Sequence, residues 1–355
     1  MIQTKEEAFW YLPENLSEGQ KSMLASFRSA LTQRNVLLAN YDSDPTLLRF
    51  LKARQWHLEP AVAMYSHMAK WRQDNQVEEL YATYDFPELD QLLPHYPHFY
   101  HKQDKYGRPV YIELLGGLDC GAMLKAAPLE RIMKYHIWTW ERMERQLLPA
   151  CSRLVGHPVI TATVIIDLAG LSLRNFTLTA QRLLSTIAKI DQDYYPEHLG
   201  TMFIINTSWF FTTIWAVVYP LLEERTRKKI IVLGSNYQDK LKELIPEENL
   251  PTFFGGLSPC PDKQSSQGLW SREEPCTSSS WLPVGHTAQD PPHTQPAAKG
   301  CAKEALICPE GADALPCDED SIPVGVACAA LEGLGVEGPL PAKQLPQAKV
   351  DAVAV

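Results

Sequence analysis

The feature that most limits how this 355-residue chain can fold is a nearly all-apolar run, Trp209 to Leu222, set inside the stretch Asp191–Gly234. Trp209, Phe210, Phe211, Ile214, Trp215, Val217, Val218, Tyr219, Leu221 and Leu222 leave no polar side for a surface helix. A helix apolar all round is buried on every side, enters a membrane, or covers something apolar. A membrane span needs about 20 consecutive apolar residues. The window Met202–Leu222 reaches that length only by admitting Asn206, Thr207, Ser208, Thr212, Thr213, Pro220 and a strand-like MFII run. Two readings therefore stay open at this point: an ordinary core helix, or a movable lid over a lipid pocket.

The chain before this run supplies the context. Residues 1–80 read as a small helical subdomain. Ser17-Glu18-Gly19-Gln20 has the form of a capping box, Asp44-Pro45 opens a second helix, and Glu59-Pro60 a third in which Val62, Tyr65, Met68, Ala69 and Arg72 recur at helical spacing. Residues 86–107 are rich in loops, and Pro94 and Pro97 argue against a helix that would align His95, His98 and His101 as metal ligands. DKYGRP (104–109) is a turn and PVYIELL after it a strand.

From there strands and helices alternate: a helix over 128–148 with Leu129, Ile132, Met133, His136, Trp140, Met143 and Leu147 on one stripe, a strand over Thr161–Leu168, a helix over 173–190, a TMFIIN strand, the apolar run, a charged ERTRKK link, a KIIVLG strand and a helix over 237–245. Such repetition predicts an α/β fold with a mixed or parallel sheet and right-handed crossovers over 86–257.

At Ser258 the composition changes. The segment 258–355 holds 13 of the 27 prolines, six basic residues against thirteen acidic ones, and neither Phe nor Tyr. It cannot bury enough apolar surface to offset chain entropy and is expected to be a disordered acidic tail that can recruit protein partners. Its six cysteines show no CxxC pair, so neither zinc nor disulfides are expected. No basic face points to nucleic acid. The opening MIQTKEEAFW lacks a long apolar run, so a signal peptide is not expected and a cytosolic location is.

No GxSxG elbow, Walker-type loop or HExxH is present, and Asp167 at a strand end reads better as a cap than as a catalytic carboxylate. What stands out is a pair. Glu197 follows Tyr194-Tyr195-Pro196 just before one strand, and Lys229 is expected to start the strand after the apolar run. A carboxylate accepts from hydroxyls and an ammonium neutralises phosphate, so the two together suit a phosphorylated polyol. A structural ion pair is the simpler alternative, and an apolar lid between the partners brings the functional reading level with it.

Seven segments, in order, resemble one family: LLRFLKAR (47–54), HKQDKYGRPVYIELLG (101–116), LPACSRLVGH (148–157), IIDLAG (165–170), YYPEHLG (194–200), KKIIVLGSNYQ (228–238) and IPEENLPTFFGG (245–256). The chain resembles the CRAL-TRIO lipid-binding proteins, specifically the secretory-pathway phosphatidylinositol/phosphatidylcholine transfer proteins. The resemblance implies a CRAL-TRIO domain behind a helical subdomain, with Trp209, Phe210, Phe211, Ile214, Trp215 and Val218 on the lid. It implies exchange of one bound phospholipid for another at membranes without catalysis, cofactor or metal. It also implies a monomer that visits Golgi or endosomal membranes in support of phosphoinositide signalling and vesicle traffic.

Glu197, Lys229 and Thr226 stand at the inositol-headgroup positions, and Tyr100 and Tyr111 match two tyrosines that attend choline. The chain departs from the pattern at Gln55, where a lysine is usual, at His198, where an arginine is usual, and at Ala162 and Val164, where two hydroxyl residues are usual. Thr161 and Thr163 are one residue out of step and are expected on the opposite face. Phosphatidylinositol is thus the better-supported ligand. A sensor or adaptor that binds a non-phospholipid apolar molecule is the alternative.

Overall fold

The computed structural model describes residue 2 and residues 4–172, 178–208, 211, 215 and 224–260. The first six helices are α1 (Lys5–Ala8), α2 (Glu18–Gln33), α3 (Asp44–Ala53), α4 (Leu58–Asp74), α5 (Val77–Thr83) and α6 (Leu89–Leu92). Their starts follow from local chemistry. Ser17 and Gln20 close the expected capping box on α2, while Ser43 caps α3 and Pro45 sits in its first turn, where no N–H is needed. Phe27, Leu31, Leu47, Leu51, Tyr65 and Met68 bury the apolar sides of α2, α3 and α4 against one another.

Five strands follow: β1 (His98–Gln103), β2 (Pro109–Leu114), β3 (Ala162–Asp167), β4 (Leu199–Ile205) and β5 (Ile230–Val232). They lie side by side in sequence order, β1 antiparallel to β2 and the rest parallel. Between β2 and β3 run α7 (Cys120–Ala126), α8 (Leu129–Arg142) and α9 (Leu148–Val155), the last two joined without a break by a π-helical turn, Met143–Leu147. Helix α10 (Leu178–Tyr194) crosses from β3 to β4. A parallel pair needs such a crossover, and this requirement places helices against the sheet.

Register divides the sheet into two faces. Tyr111, Val164, Met202 and Ile230 are Cα partners in one row, and Glu113, Ile166, Ile204 and Val232 in the next. Val164, Ile166, Met202, Ile204, Ile230 and Val232 pack against residues of α7, α8 and α10 and against Phe211. The alternate residues Val110, Ile112, Ile165, Phe203 and Ile231 point the other way, onto Leu241, Leu244 and Phe254. That second face also carries a buried ion pair: Arg108 Nε donates to Asp104 Oδ2 at 2.7 Å, and Asp104 Oδ1 accepts from the backbone of Tyr106 and Arg108 in the DKYGRP turn.

Two expectations change. Lys229 does not open a strand but closes the helix Glu224–Lys229, so ERTRKK is helical rather than a link. The run has no glycine or proline, is rich in helix-favouring Glu, Arg and Lys, and places its cations at the helix C-terminus, where the dipole favours them. In keeping with Pro94 and Pro97, His98 and His101 lie on β1 and share no helical side with His95. Of the residues expected to form the tail, Ser258 and Cys260 are buried on the second face, and 261–355 lie outside the described residues. Among the described residues no helix is long and apolar enough to cross a membrane.

Candidate functional site

The YYPE turn between α10 and β4 is fixed from both sides. Tyr194 stacks on Trp71 of α4 with ring centroids 3.9 Å apart, and Tyr195 stacks on Trp140 of α8 at 4.9 Å. The Tyr195 hydroxyl donates to Glu141 Oε1 at 2.7 Å. Glu141 has no exposed surface and also accepts from Arg72 at 2.8 and 2.7 Å and from the Tyr41 hydroxyl at 2.7 Å. One carboxylate thus joins the helical subdomain, α8 and the turn. Burial and the Glu141 charge push the Tyr195 hydroxyl well above its ordinary pKa, so it stays a donor.

This bracing delivers Glu197. Its backbone adopts φ 58°, a left-handed conformation that a non-glycine residue holds only when its surroundings fix it. Its Oε2 accepts from Lys229 Nζ at 2.9 Å, with 8% of the Glu197 side chain and 12% of the Lys229 side chain exposed. Glu197 stands two residues before β4 and Lys229 immediately before β5, so the pair marks the N-terminal edge of two adjacent parallel strands. Thr226 lies one turn earlier on the helix that ends at Lys229, and its side chain lies outside the described residues.

Next to Glu197, His198 is buried together with Arg49, both meet the partly buried Glu144, and all three side chains contact one another. Burial opposes the charged form of Glu144, but Arg49 and His198 win and hold its carboxyl at about 2. Gln55 adopts φ 53° just past the end of α3. Asp167 behaves as a cap, accepting from Ala169 N at 2.9 Å and from Asn206 Nδ2 at 2.7 Å.

Tyr100 and Tyr111 come together. They are Cα partners across β1 and β2, with ring centroids 4.9 Å apart, and burial raises both hydroxyl pKa values. Beside Tyr111 lies a cavity of about 30 Å³ bounded by β2, α7, α8 and α10. A wider groove of about 630 Å³ lies on the helical subdomain near Tyr11, Leu24 and Leu48, and its polar lining, Lys21, Arg28 and Asp44 among it, is away from the sheet.

Val164 faces the cavity side, whereas Thr163 donates from the other face to Asp104 Oδ2 at 2.7 Å. The irregularity in the β3–β4 ladder falls between Ala162 and Thr163, where Gly200 of β4 has no partner in the register and β3 keeps its alternation. Of the expected lid, Phe211 is 1% exposed and Trp215 stacks beside it at 6.0 Å; Trp209, Phe210, Ile214 and Val218 lie outside the described residues.

Four polar residues on the cavity side were not singled out by the sequence. The Tyr96 hydroxyl donates to Glu113 Oε1 at 2.7 Å, and His136 Nε2 lies 2.6 Å from Asp191 Oδ1. The one available signal was a histidine within the apolar stripe of α8, four residues before Trp140. Among the described residues no three His, Cys, Asp or Glu side chains cluster as a metal site would require.

Comparison with known proteins fits this arrangement. Residues 93–256 match the family described as CRAL/TRIO domain, and residues 3–67 match CRAL/TRIO, N-terminal domain. The phosphatidylinositol/phosphatidylcholine transfer protein SFH7 of Arabidopsis thaliana is 42% identical over 253 residues, which are 70% of this chain and 46% of that protein. The SEC14 cytosolic factor of Kluyveromyces lactis is 38% identical over 270 residues, 74% of this chain and 88% of that protein. This chain spans about half the length of the Arabidopsis relative. The crystal structure of Sfh5 superposes with a TM-score of 0.51 at 18% identity, covering 72% of this chain and 94% of that chain, a likeness of fold.

Proposed function

This chain belongs to the CRAL/TRIO family, and on that premise we propose that it exchanges phospholipids at membranes, carrying one phosphatidylinositol at a time and, less readily, phosphatidylcholine. The observation that carries this reading is the Glu197–Lys229 pair at the strand edge, beside a sheet face whose next rows are apolar and covered by Phe211 and Trp215. Inositol hydroxyls donate to the carboxylate, and the phosphate takes the ammonium in place of it. Thr226, one turn before Lys229, adds a third headgroup contact. Acyl chains then lie along Val164, Met202 and Ile204, where each buried CH₂ contributes roughly 0.8 kcal/mol.

A cavity of about 30 Å³ holds a water-sized group, not a phospholipid. Uptake therefore requires the cover after β4 to part from the sheet, and a bilayer supplies both the apolar surface that compensates the parting and the lipid. The protein acts as a monomer with transient contact to Golgi or endosomal membranes, and the chain after Cys260 recruits partners.

The test is lipid extraction from the purified full chain with mass spectrometry, joined to transfer between phosphatidylinositol and phosphatidylcholine vesicles. Phosphatidylinositol should co-purify, and Lys229→Ala should remove its transfer selectively. Absence of any phospholipid, or equal loss for all lipids in Lys229→Ala, overturns the reading. The second reading, a sensor of a non-phospholipid apolar ligand, draws on Ala162 and Val164, which offer no hydroxyl to a headgroup.

A further inference from the structure

The cavity beside Tyr111 is not uniformly apolar. Leu118, Met123, Ile132, Leu183 and Ile187 line most of it, but His136 of α8 is also on its wall. His136 Nε2 is committed to Asp191 Oδ1 of α10 at 2.6 Å. Trp140, one turn further along α8, donates its Nε1 to the same Asp191 oxygen at 2.7 Å and lies 3.1 Å from His136 Nε2. Trp140 in turn stacks on Tyr195, so the dyad is held by the same bracing that fixes the headgroup turn. Among the described residues, Nδ1 of His136 has no hydrogen-bond partner, and 22% of the side chain remains accessible.

We propose that His136 and Asp191, braced by Trp140, form a second polar subsite within the lipid pocket that takes an uncharged oxygen of the ligand, an ester carbonyl or a hydroxyl. The inference deepens the lipid-exchange reading and rests on it.

Charge selects the ligand class. Asp191 balances the imidazolium, so a full anion finds no net positive charge, and the ring itself repels a cation. Glu113 stands nearby, its carboxyl pKa raised by burial against the hydrogen bonds from Tyr96 and Tyr111, and adds no positive charge. An uncharged oxygen costs least to bring into an apolar cavity, provided it gains a hydrogen bond there. Burial works against the charged His136 ring, but the charge and hydrogen bond of Asp191 outweigh it, and the ring's pKa is raised. With Nε2–H given to Asp191, a charged ring donates from Nδ1 to a carbonyl or hydroxyl oxygen, and a neutral ring accepts a hydroxyl proton there.

The two oxygen sources separate experimentally. Full-length protein is incubated with vesicles of phosphatidylcholine carrying diester or diether phosphatidylinositol, and in a second arm with cholesterol or the hydrocarbon cholestene. Bound lipid is quantified by mass spectrometry. The wild type should favour the oxygen-bearing member of one pair by roughly fivefold to tenfold, and His136→Leu should lose that preference. Diester over diether identifies the carbonyl; cholesterol over cholestene identifies the hydroxyl.

Asp191→Asn, which keeps the side-chain shape, should weaken the same preference, and the ¹⁵N resonance of His136 Nδ1 should move on loading in the wild type. Equal uptake within both pairs by the wild type, an unchanged preference in folded His136→Leu, or an unmoved Nδ1 resonance on loading overturns the subsite. Failure of the wild type to take up any lipid overturns the exchange reading instead, so the two failures are distinct.

Discussion

Thr163 Oγ1 donates to Asp104 Oδ2 at 2.7 Å on the sheet face turned away from the cavity, while its neighbour Val164 packs on the cavity side. The Thr163 hydroxyl is therefore turned through the sheet, away from the cavity. Thr163 has taken another task, sharing Asp104 with Arg108.

Restoring hydroxyls to the cavity side should restore the second ligand. The double variant Ala162→Ser, Val164→Thr places polar groups in an apolar cavity and should cost about 1–3 kcal/mol of stability in the unloaded protein. Phosphatidylcholine transfer should rise roughly tenfold relative to phosphatidylinositol. Vesicle transfer with each lipid measures this, and an unchanged ratio speaks against the strand-face explanation.

The Glu197–Lys229 pair makes a prediction that separates stability from binding. Lys229→Ala leaves the nearly buried Glu197 carboxylate without its ammonium and should destabilise by about 3–5 kcal/mol. Adding Glu197→Gln to Lys229→Met should recover most of that loss by urea unfolding, yet phosphatidylinositol transfer should stay absent. Recovery of both together would make the pair purely structural.

Acid should weaken the fold in two windows. His101 is buried with Nε2 3.0 Å from Ser258 Oγ, and burial first, then Lys102, pushes its pKa from 6.5 to about 4. A depressed folded pKa gives stability that is complete above the unfolded value and lost as pH falls. His101 thus accounts for a loss of up to roughly 3 kcal/mol between pH 6.5 and 4. Glu144, held at about 2 against an ordinary 4.5, adds a second loss below pH 4.5 by the same sign. Unfolding curves against pH should show His101→Asn flattening the first window and leaving the second.

Adjacent glycines should respond oppositely to alanine. A Cβ on Gly116 would stand 1.6 Å from the carbonyl oxygen of Ala169, a backbone atom that cannot swing away, whereas a Cβ on Gly117 meets nothing within 4 Å. Gly116→Ala should cost about 3 kcal/mol or more, and Gly117→Ala should stay within roughly 0.5 kcal/mol. Melting temperatures of the two variants decide it, and similar values would contradict the close approach of Gly116 to the Ala169 carbonyl.

What was legible in the sequence follows from which forces are local. Ser17 and Gln20 close a cap because both partners lie within one turn, and the MFII and VIID runs become strands because their burial shows in four or five consecutive letters. ERTRKK misled because a charged run reads as a link, although straight-chain charged residues also favour helix. The Glu197–Lys229 pair was legible because both lie beside recognisable strands. His136 and Asp191 are 55 residues apart, on different helices, and neither helix period nor motif links them. The histidine was absorbed into an apolar stripe, and the aspartate fell just past the helix expected over 173–190.

The position of Ser258 and Cys260 has a consequence for how the molecule can be used. Both are buried on the side of Phe99, Ile112 and Phe254, while lipid would come and go from the opposite side. The described chain therefore ends at Cys260 on the face turned away from the cavity, and under the exchange reading it leaves the route by which cargo would change hands uncovered.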